Sequence, residues 1–458
     1  MVHTFTALGV HVAVDVNSGA VHVLDELTHT LLSALLERQG GASALAAACP
    51  RELIAALNQY PAEALEEAWQ ELRALADEGL LFVEDDYIDR EKAASMQQQA
   101  LVKALCLHVS HDCNLRCQYC FASTGDFGTG RKIMDIETAK RAIDFVIQRS
   151  GSRRNIEVDF FGGEPLMAMD TVKATVAYAR SIEKKAGKCF RFTITTNGVL
   201  LDDENIDYIN REMSNAVLSL DGRPQVNDRM RKTVNGKGSY EVIVPKFQKL
   251  VAGRGTKDYY LRGTFTHYNL DFAEDVMHMA DLGFRNVSVE PVVGEETCGY
   301  ALKDEDLPVV LEQYEKLAEK LKDRTDVNFF HFNVDLAQGP CVIKRLRGCG
   351  AGCEYVAVTP EGDIYPCHQF VGNPAYKIGS LSDGSFDMEL SHRFSCLNIY
   401  TREECRDCWA RFYCSGGCSA SNLLVNGDIK KPNHVGCEME RKRLECAIAL
   451  KALAAGMG

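Results

Sequence analysis

The chain has 458 residues, of which 46% are hydrophobic, and its formal net charge is -13. This length and composition fit a globular protein of roughly three domains. They exclude a small disulfide scaffold, because the 18 cysteines make up only about 4% of the residues.

No apolar stretch approaches about 20 residues, and the amino terminus "MVHTFTALGV" lacks the pattern of a secretory signal. We therefore expect a cytoplasmic protein without a membrane anchor. Most of the acidity lies early in the chain, where residues 1–95 hold 16 Asp and Glu against 5 Lys and Arg. Such a surface repels phosphate groups and anionic lipids, which argues against nucleic acid and membrane as partners.

Residues 1–90 predict a small winged-helix domain. Alternating strand-like runs surround the turn signal Asn17-Ser18-Gly19, and helical patterns follow near 26–38, 51–59 and 62–78. Pro61 is placed to begin the last of these helices. DNA binding is the common role of a winged helix, but the local acidity argues against it here. We place a charged linker at 91–104.

Residues 105–325 alternate between apolar strands and amphipathic helices. The predicted strands are 105–110, 155–161, 190–196, 215–220, 260–266 and 286–291, and the predicted helices lie near 136–149, 169–185, 203–212, 240–252, 272–282 and 305–322. Six such repeats predict an α/β fold, a partial (β/α)6 barrel of the TIM type. Its chemistry is expected at the carboxyl ends of the strands.

The stretch "HDCNLRCQYCFA", residues 111–122, directly follows the first of these strands. It contains Cys113, Cys117 and Cys120 in the spacing C-x3-C-x2-C. Three thiolates are one short of the four that close a structural metal site, so this loop predicts a metal centre with one open position.

The next strand ends in "FFGGEP", residues 160–165. Gly162 and Gly163 would allow a ligand to approach the backbone closely, and Glu164 could bind an ammonium group. The following two strands end in "TTNG" (195–198) and "SLDG" (219–222). Ordinary strand-to-helix turns use the same residue types, so these two motifs carry less information.

Ten of the cysteines fall between Cys341 and Cys437, grouped at short spacings. In a reducing cytosol such groups indicate metal ligands rather than disulfides. Four thiolates suit iron clusters and zinc alike, so both remain open. We assign 326–440 to a cysteine-rich domain and 441–458 to a final helix. The cysteines without ligand-like spacing are expected to be small buried hydrophobes or idle thiols: Cys49, Cys106, Cys189, Cys298, Cys396 and Cys446.

The C-x3-C-x2-C loop followed by GGEP resembles the radical S-adenosylmethionine (SAM) enzymes. The resemblance implies that the three thiolates hold a 4Fe-4S cluster whose open iron binds the amine and carboxylate of SAM. Reductive cleavage would then give a 5'-deoxyadenosyl radical that removes a hydrogen atom from the substrate. The same resemblance assigns Glu164 to the methionyl amine and Tyr119 to the adenine. Candidates for ribose and carboxylate contacts are Thr196, Asn197, Ser219 and Arg231, although Arg231 could equally be a solvated surface charge.

The cysteine-rich end resembles the SPASM extension of these enzymes, which carries two auxiliary 4Fe-4S clusters and would bring the total to three. The resemblance assigns Cys405, Cys408, Cys414 and Cys437 to an outer cluster, and Cys349, Cys367 and Cys418 to an inner one. Cys353 is a candidate for the fourth inner ligand, and Cys341 is a weaker one. Thioether-forming relatives leave that position open for a substrate thiolate.

Over nearly its full length the chain resembles the thioether-forming maturases of six-cysteine SCIFF peptides, of the sactisynthase or ranthipeptide synthase type. The resemblance is carried by "ALGVHVAVDVNSGAVHVLDELT", "HDCNLRCQYCFASTGDFG" and "VTPEGDIYPCHQFVGN". It implies that the first domain binds the leader of a ribosomal precursor peptide as an added strand, and that cysteine sulfur is joined to a threonine carbon. A reductant such as flavodoxin or ferredoxin would supply electrons. Cys353 departs from the pattern of these relatives.

Three alternatives stay open at this point. One is a formylglycine-forming sulfatase maturase, in which an acid typically follows the cysteine that corresponds to Cys367, whereas His368 follows it here. The second is a peptide cyclase that forms carbon-carbon bonds. The third, from another class, is a non-catalytic iron-sulfur scaffold or electron carrier.

Overall fold

The computed structural model describes residues 1–38, 45, 47–86, 101–295, 297–336 and 346–456. The N-terminal module has an antiparallel sheet in the order β1-β2-β3, followed by three helices. Its elements are β1 (Val2–Ala7), β2 (Val10–Asp15), β3 (Val21–Leu24), α1 (Glu26–Glu37), α2 (Arg51–Ala56) and α3 (Ala62–Asp77). The predicted helices are present, and Pro61 stands at the N-cap of α3 as expected. The winged-helix classification stays a prediction.

Local hydrogen bonds explain the start of this module. Asp15 closes the turn after β2, because its Oδ1 accepts from the Ser18 backbone N–H at 2.8 Å. Asp25 then caps α1 by accepting from the Thr28 N–H at 2.7 Å, which satisfies a donor that the first helical turn leaves free.

Both faces of β2, the central strand of the N-terminal sheet, are buried. Ala13 of β2 belongs to a small core formed with the helices, which includes Leu31 and Trp69. Val12 and Val14 on the same strand belong instead to the main core of the molecule. The module is therefore built into the protein through its sheet.

The central part of the chain is the predicted α/β array. Its parallel strands are β4 (Ala104–Ser110), β5 (Asn155–Gly162), β6 (Cys189–Thr196), β7 (Asn215–Ser219), β8 (Asp258–Phe265) and β9 (Asn286–Pro291). The helices are α4 (Ile136–Arg149), α5 (Met169–Ala186), α6 (Asp203–Glu212), α7 (Pro224–Met230), α8 (Tyr240–Ala252), α9 (Phe272–Asp281) and α10 (Leu307–Leu321). All six strands lie where the sequence predicted them, so their carboxyl ends share one edge.

The cysteine-rich region continues the same sheet. β10 (Asn328–Phe329) pairs with β9 at one side, and β11 (Tyr355–Val358) pairs in parallel with β4 at the other. From β11 the described sheet runs on through β12 (Asp363–Tyr365), β13 (Gly379–Ser380) and β14 (Ser385–Phe386). The helices that follow are α11 (Met388–Ser395), α12 (Glu403–Arg406), α13 (Arg411–Cys414), α14 (Ser419–Asn426) and α15 (His434–Ala454). None of the described helices has the length and apolar content to cross a membrane.

Candidate functional site

The three-cysteine loop lies at the carboxyl end of β4. Its three thiols are free and partly buried. Burial, with a contribution from the nearby Cys120 thiol, raises the pKa of Cys113 and of Cys117 to about 12. The structure therefore brings the three predicted ligands together. Buried thiolates are stable only beside positive charge, and a bound metal centre would supply it.

Gly162 and Gly163 allow the end of β5 to pack directly against the backbone of this loop. A Cβ atom on Gly162 would lie 2.1 Å from the Ser110 carbonyl oxygen, and one on Gly163 would lie 2.2 Å from that of Asp112. The Gly163 N–H donates to the Ser110 carbonyl at 2.7 Å. Only glycine fits positions this close to another backbone segment. The expected contact of both glycines with a ligand stays a prediction, but their contact with the cysteine loop is direct.

Glu164 is a buried carboxylate held by neutral donors. It accepts from the Thr196 hydroxyl at 2.7 Å, the Asn197 N–H at 2.8 Å and the Leu166 N–H at 3.0 Å. Within the described ranges no Lys, Arg or His nitrogen forms an ion pair with it. Burial raises the pKa of Glu164 to about 7. A cationic or amine-bearing ligand would balance this charge, so the residues present fit the methionyl end of SAM.

Asn197 directly follows β6, and Ser219 is the last residue of β7. The Asn197 side-chain amide donates to the Asn114 Oδ1 at 2.8 Å and contacts the Cys113 sulfur at 3.6 Å. Ser219 is half-buried at the end of β7. Asn197 therefore lies at the cysteine loop, whereas the assignment of ribose and carboxylate contacts to Thr196, Asn197 and Ser219 stays a prediction.

Arg231 is not a solvated surface charge. It is 8% exposed, and its Nε lies 3.0 Å from the Asp221 carboxylate. Burial alone would lower the pKa of Arg231, but Asp221 raises it above its ordinary value. The Tyr119 hydroxyl donates to the same carboxylate at 2.7 Å. Asp221 thus joins two predicted ligand contacts, Tyr119 and Arg231, into one buried network beside the cysteine loop.

The inner cysteine set also assembles. Burial raises the pKa of the Cys367 thiol, and the neighbouring Cys418 and Cys349 thiols raise it further. Cys353 is buried and close to Cys349, and its sulfur lies 3.3 Å from the Gly350 carbonyl oxygen. Cys341 lies outside the described residues. Cys353 therefore lies near one member of the inner set, Cys349, and its role as the fourth ligand stays a prediction.

The thiols of the outer set, Cys405, Cys408, Cys414 and Cys437, also lie close enough to raise one another's pKa. Burial, with contributions from Glu440 and the nearby thiols of Cys437 and Cys405, raises the pKa of Cys414 to about 12. Burial likewise raises the pKa of Cys437 to about 11, with a contribution from Cys408. The four cysteines that the resemblance assigned to an outer cluster thus face one another.

Thiolates suit iron-sulfur clusters and zinc alike, so the ligand types of the three sets do not separate the two kinds of centre. Across the described residues, no three His, Cys, Asp or Glu side chains converge closely enough to hold a single metal ion.

Two functional candidates escaped the sequence analysis. Asp221 stands inside the "SLDG" motif, but nothing in the sequence linked it to Tyr119. Arg402 is 4% exposed, and Cys405, Cys414, Cys349 and Cys418 all act on its pKa, so it lies between the inner and outer sets. Burial is the largest influence, and the pKa of Arg402 is lowered overall. Only the three-dimensional arrangement reveals this buried cation.

Comparison with known families agrees with this arrangement. Residues 107–261 match the radical SAM superfamily, and residues 349–409 match the SPASM family, described as an iron-sulfur cluster-binding domain. The chain carries a radical SAM domain and a SPASM domain. The SPASM match ends before Cys414, Cys418 and Cys437, which follow it in the chain.

Several curated proteins are homologous to this chain. The mycofactocin maturase MftC of Mycolicibacterium smegmatis is 25% identical over 73% of this chain and 83% of its own length. The cysteine-type anaerobic sulfatase-maturating enzyme of Clostridium novyi is 23% identical over 68% and 85%. The radical SAM cyclopropyl synthase TigE of Paramaledivibacter caminithermalis is 21% identical over 74% and 72%.

Solved structures show the shared fold. The structure of anSMEcpe with bound AdoMet and a bound peptide has a TM-score of 0.65 at 20% identity, covering 78% of this chain and 99% of that chain. Streptococcus suis SuiB bound to S-adenosylmethionine has a TM-score of 0.54 at 16% identity, covering 95% and 98%. Both structures thus share the fold of this chain.

Proposed function

We propose that this protein is a radical SAM maturase that installs thioether crosslinks, from cysteine sulfur to a threonine carbon, in a ribosomally made precursor peptide. The observation that carries the proposal is the meeting of three free thiols with the buried, ion-pair-free Glu164 at one edge of the barrel. Two further thiol sets in the SPASM region supply sites for auxiliary clusters.

When bound, the cluster and SAM supply a carbon radical that removes a hydrogen atom from the peptide. Cys113, Cys117 and Cys120 would hold the cluster, and Glu164 would accept hydrogen bonds from the methionyl amine. Tyr119, fixed by its hydrogen bond to Asp221, would line the adenine side. Burial of these groups keeps water away from the reacting atoms.

A cluster of three rings, Phe121, Phe161 and His368, lies between the cysteine loop and the inner thiol set. His368, which directly follows Cys367, has its ring centroid 5.3 Å from that of Phe121 and 5.0 Å from that of Phe161. Phe121 directly follows Cys120 and is 47% exposed. A peptide held against these rings would lie between the radical source and the inner set. This placement supports bonding of a substrate thiolate, after loss of its proton, to a nearby carbon radical, with the leftover electron accepted by a centre that the inner set would hold.

The N-terminal module would bind the leader of the peptide. β3 pairs with β2 along one edge, and the described residues provide no second strand for its other edge. All four β3 residues are half-buried, and the stretch from Phe5 to Val23 contains no proline. Such an edge can accept an added peptide strand through backbone hydrogen bonds. The crystal structure of SuiB bound to precursor peptide SuiA covers 95% of this chain, which supports a peptide partner.

The nearest alternatives are other outcomes of the same radical chemistry. Relatives include sulfatase-maturating enzymes and a cyclopropyl synthase. His368 stands where sulfatase maturases typically carry an acid, and this position favours the thioether assignment. Localisation in the cytoplasm and three clusters in total belong to the same proposal.

The proposal is tested by incubating the anaerobically reconstituted enzyme, SAM and a reductant with a small cysteine-rich peptide encoded beside it. We expect each crosslink to remove two hydrogens from the peptide mass and one thiol from alkylation. A carbon-carbon crosslink would remove two hydrogens and leave every thiol reactive. Formylglycine would convert a cysteine into an aldehyde. Either of these two results, or an unchanged peptide mass, would contradict the thioether assignment.

A further inference from the structure

Arg402 is a cation buried among the cysteines of the SPASM region. The residue is 4% exposed. Its guanidinium donates to the Gly416 carbonyl and, at 2.8 Å, to the Ser419 hydroxyl. Both acceptors are neutral, and within the described ranges no carboxylate forms an ion pair with Arg402. A buried charge costs free energy unless an opposite charge lies beside it. The carboxylates of the described structure therefore leave this guanidinium without a negative partner.

The backbone between Cys414 and Cys418 is shaped to hold the Arg402 guanidinium. Gly416 has a φ of +85°, and a Cβ atom there would lie 2.2 Å from Nη1 of Arg402. Gly416 stands midway between Cys414, which belongs to the outer set, and Cys418, which belongs to the inner set. At the other end of the residue, the Cys405 N–H donates to the Arg402 carbonyl at 3.1 Å. Arg402 is therefore held by segments that carry cysteines of both sets.

The other buried arginines of the described structure have partners of a different kind. Arg231 and Arg411 each pair with a carboxylate, and Arg254 donates to backbone carbonyls. Burial lowers the pKa of Arg402, and the groups that act against burial are thiols of both sets: Cys405, Cys414, Cys349 and Cys418. Thiolates of the two sets are therefore the negative groups available to Arg402.

We propose that Arg402 is the shared counter-charge of the two centres that the inner and outer sets would hold, and that it makes both centres easier to reduce. This inference rests on the proposed function, which assigns iron-sulfur centres to these sets. A cluster held by thiolates carries negative charge, and an added electron makes it more negative. A fixed positive charge in a poorly solvated place therefore stabilises the reduced form more than the oxidised form. Arg402 would thus favour transfer of the electron left after C–S bond formation to the inner centre.

The test measures the midpoint potentials of the SPASM centres in a dithionite titration followed by electron paramagnetic resonance. One electron passes from dithionite to each centre, and no bond of the protein forms or breaks. The parent protein carries Cys113→Ala, Cys117→Ala and Cys120→Ala, which remove the loop ligands so that the SPASM centres respond alone. In this parent, Arg402→Met is compared with Arg406→Met, which removes an exposed arginine of α12.

Arg402→Met should make both centres harder to reduce. We expect the equilibrium constant for one-electron reduction to fall about tenfold at each centre, which corresponds to about 59 mV. In Arg406→Met the constant should change less than about twofold, because water and salt screen an exposed charge. Equal potentials in Arg402→Met and the parent, at equal iron content, would overturn the proposal, as would a fall confined to one centre.

Arg402→Lys separates the charge of this residue from its packing. It keeps the positive charge without the planar guanidinium, so the reduction constants should stay within about threefold of the parent. An equal fall in Arg402→Lys and Arg402→Met would assign a purely structural role and overturn the proposal. If Arg402→Met loses iron, iron content decides: retention by Arg402→Lys with loss by Arg402→Gln supports the counter-charge, and loss by both overturns it.

The outcomes also separate this inference from the proposed function. Unchanged potentials in Arg402→Met, together with thioether formation by the wild type, would contradict the role of Arg402 alone. SPASM sites that hold no iron in the wild type would contradict the proposed function and this inference together.

Discussion

The buried Glu164 carboxylate is the residue that depends most on what binds beside it. It is 1% exposed, and three neutral donors hold it in place. We expect Glu164→Gln to weaken SAM binding by roughly 10- to 100-fold, since a hydrogen bond to a charged group contributes about 1.5–3 kcal/mol. Glu157→Gln, an exposed position on the same strand, is the matched control and should bind SAM like the wild type.

The same carboxylate predicts a pH dependence. Burial raises the pKa of Glu164 to about 7, and the ionised form is the one that attracts an amine. Wild-type affinity for SAM should therefore increase as the pH rises from about 5.5 to about 7.5. In the Glu164→Gln variant this increase should be lost. Equilibrium dialysis over that range checks both statements, and an equal increase in the two proteins would contradict them.

Gly163 is expected to be intolerant of any side chain. A Cβ there would meet the Asp112 carbonyl, a backbone atom that cannot move without shifting the cysteine loop. Gly163→Ala should therefore lose iron from the loop while the SPASM sites keep theirs, as iron analysis and electron paramagnetic resonance would show. Gly187→Ala, where a Cβ meets nothing within 4 Å, is the control for loss of a glycine without a close backbone contact. Full iron content in Gly163→Ala would refute the role of this close approach.

At the scale of elements, the molecule depends on contacts between segments far apart in sequence. The hairpin of β1 and β2 leads into a turn that contains Asn17. The Asn17 side-chain oxygen accepts a hydrogen bond from the Arg411 guanidinium. Arg411 is buried and also binds Asp85 at 3.0 Å. The Trp409 ring, one residue after Cys408, stacks on His3 with centroids 4.1 Å apart. The N-terminal module is therefore anchored on the segment that carries the outer cysteine set.

This anchor predicts a coupling between the two regions. Arg411→Ala should remove the guanidinium that contacts Asn17 and the half-buried Asp85 carboxylate, at a cost of about 1.5–3 kcal/mol for a lost hydrogen bond to a charged group. Amide hydrogen exchange in β1 and β2 should accelerate strongly in this variant, while exchange in the barrel strands stays slow. Arg393→Ala, an exposed arginine in α11, provides the control. Unchanged exchange in β1 and β2 would show that the contact does not hold the module.

The barrel strands were predictable because each is a short apolar run, bounded by turns, at a regular spacing. The strands β10 to β14 were missed, since two to four residues carry too little periodicity to be recognised. In the site, cysteine spacing indicated the three-cysteine loop, and the resemblance to the SPASM extension assigned the inner and outer sets. Partners such as Asp221 for Arg231, and Arg402 between the inner and outer sets, follow only from the fold, because ion pairs across distant segments leave no local pattern.

At the scale of the whole molecule, one sheet carries the radical site and extends into the SPASM region. β11 pairs with β4, the strand that leads into the cysteine loop, so the inner set is attached to the same sheet edge as the loop. α15 packs on α10 and also contacts β1 and β2, so the C-terminal region closes the molecule against the N-terminal module. A peptide bound to that module would remain within a single continuous structure that includes all three thiol sets.

The most direct test of this account compares 5'-deoxyadenosine formation and iron content in the wild type, Cys117→Ala and Cys446→Ala. Cys446 is buried and belongs to none of the three sets, so its variant is the control. We predict that the wild type and the control cleave SAM on reduction, and that Cys117→Ala loses about a third of the iron and all cleavage. SAM cleavage by Cys117→Ala, or its absence in a wild type with full iron content, would contradict the assignment of the loop as the radical centre.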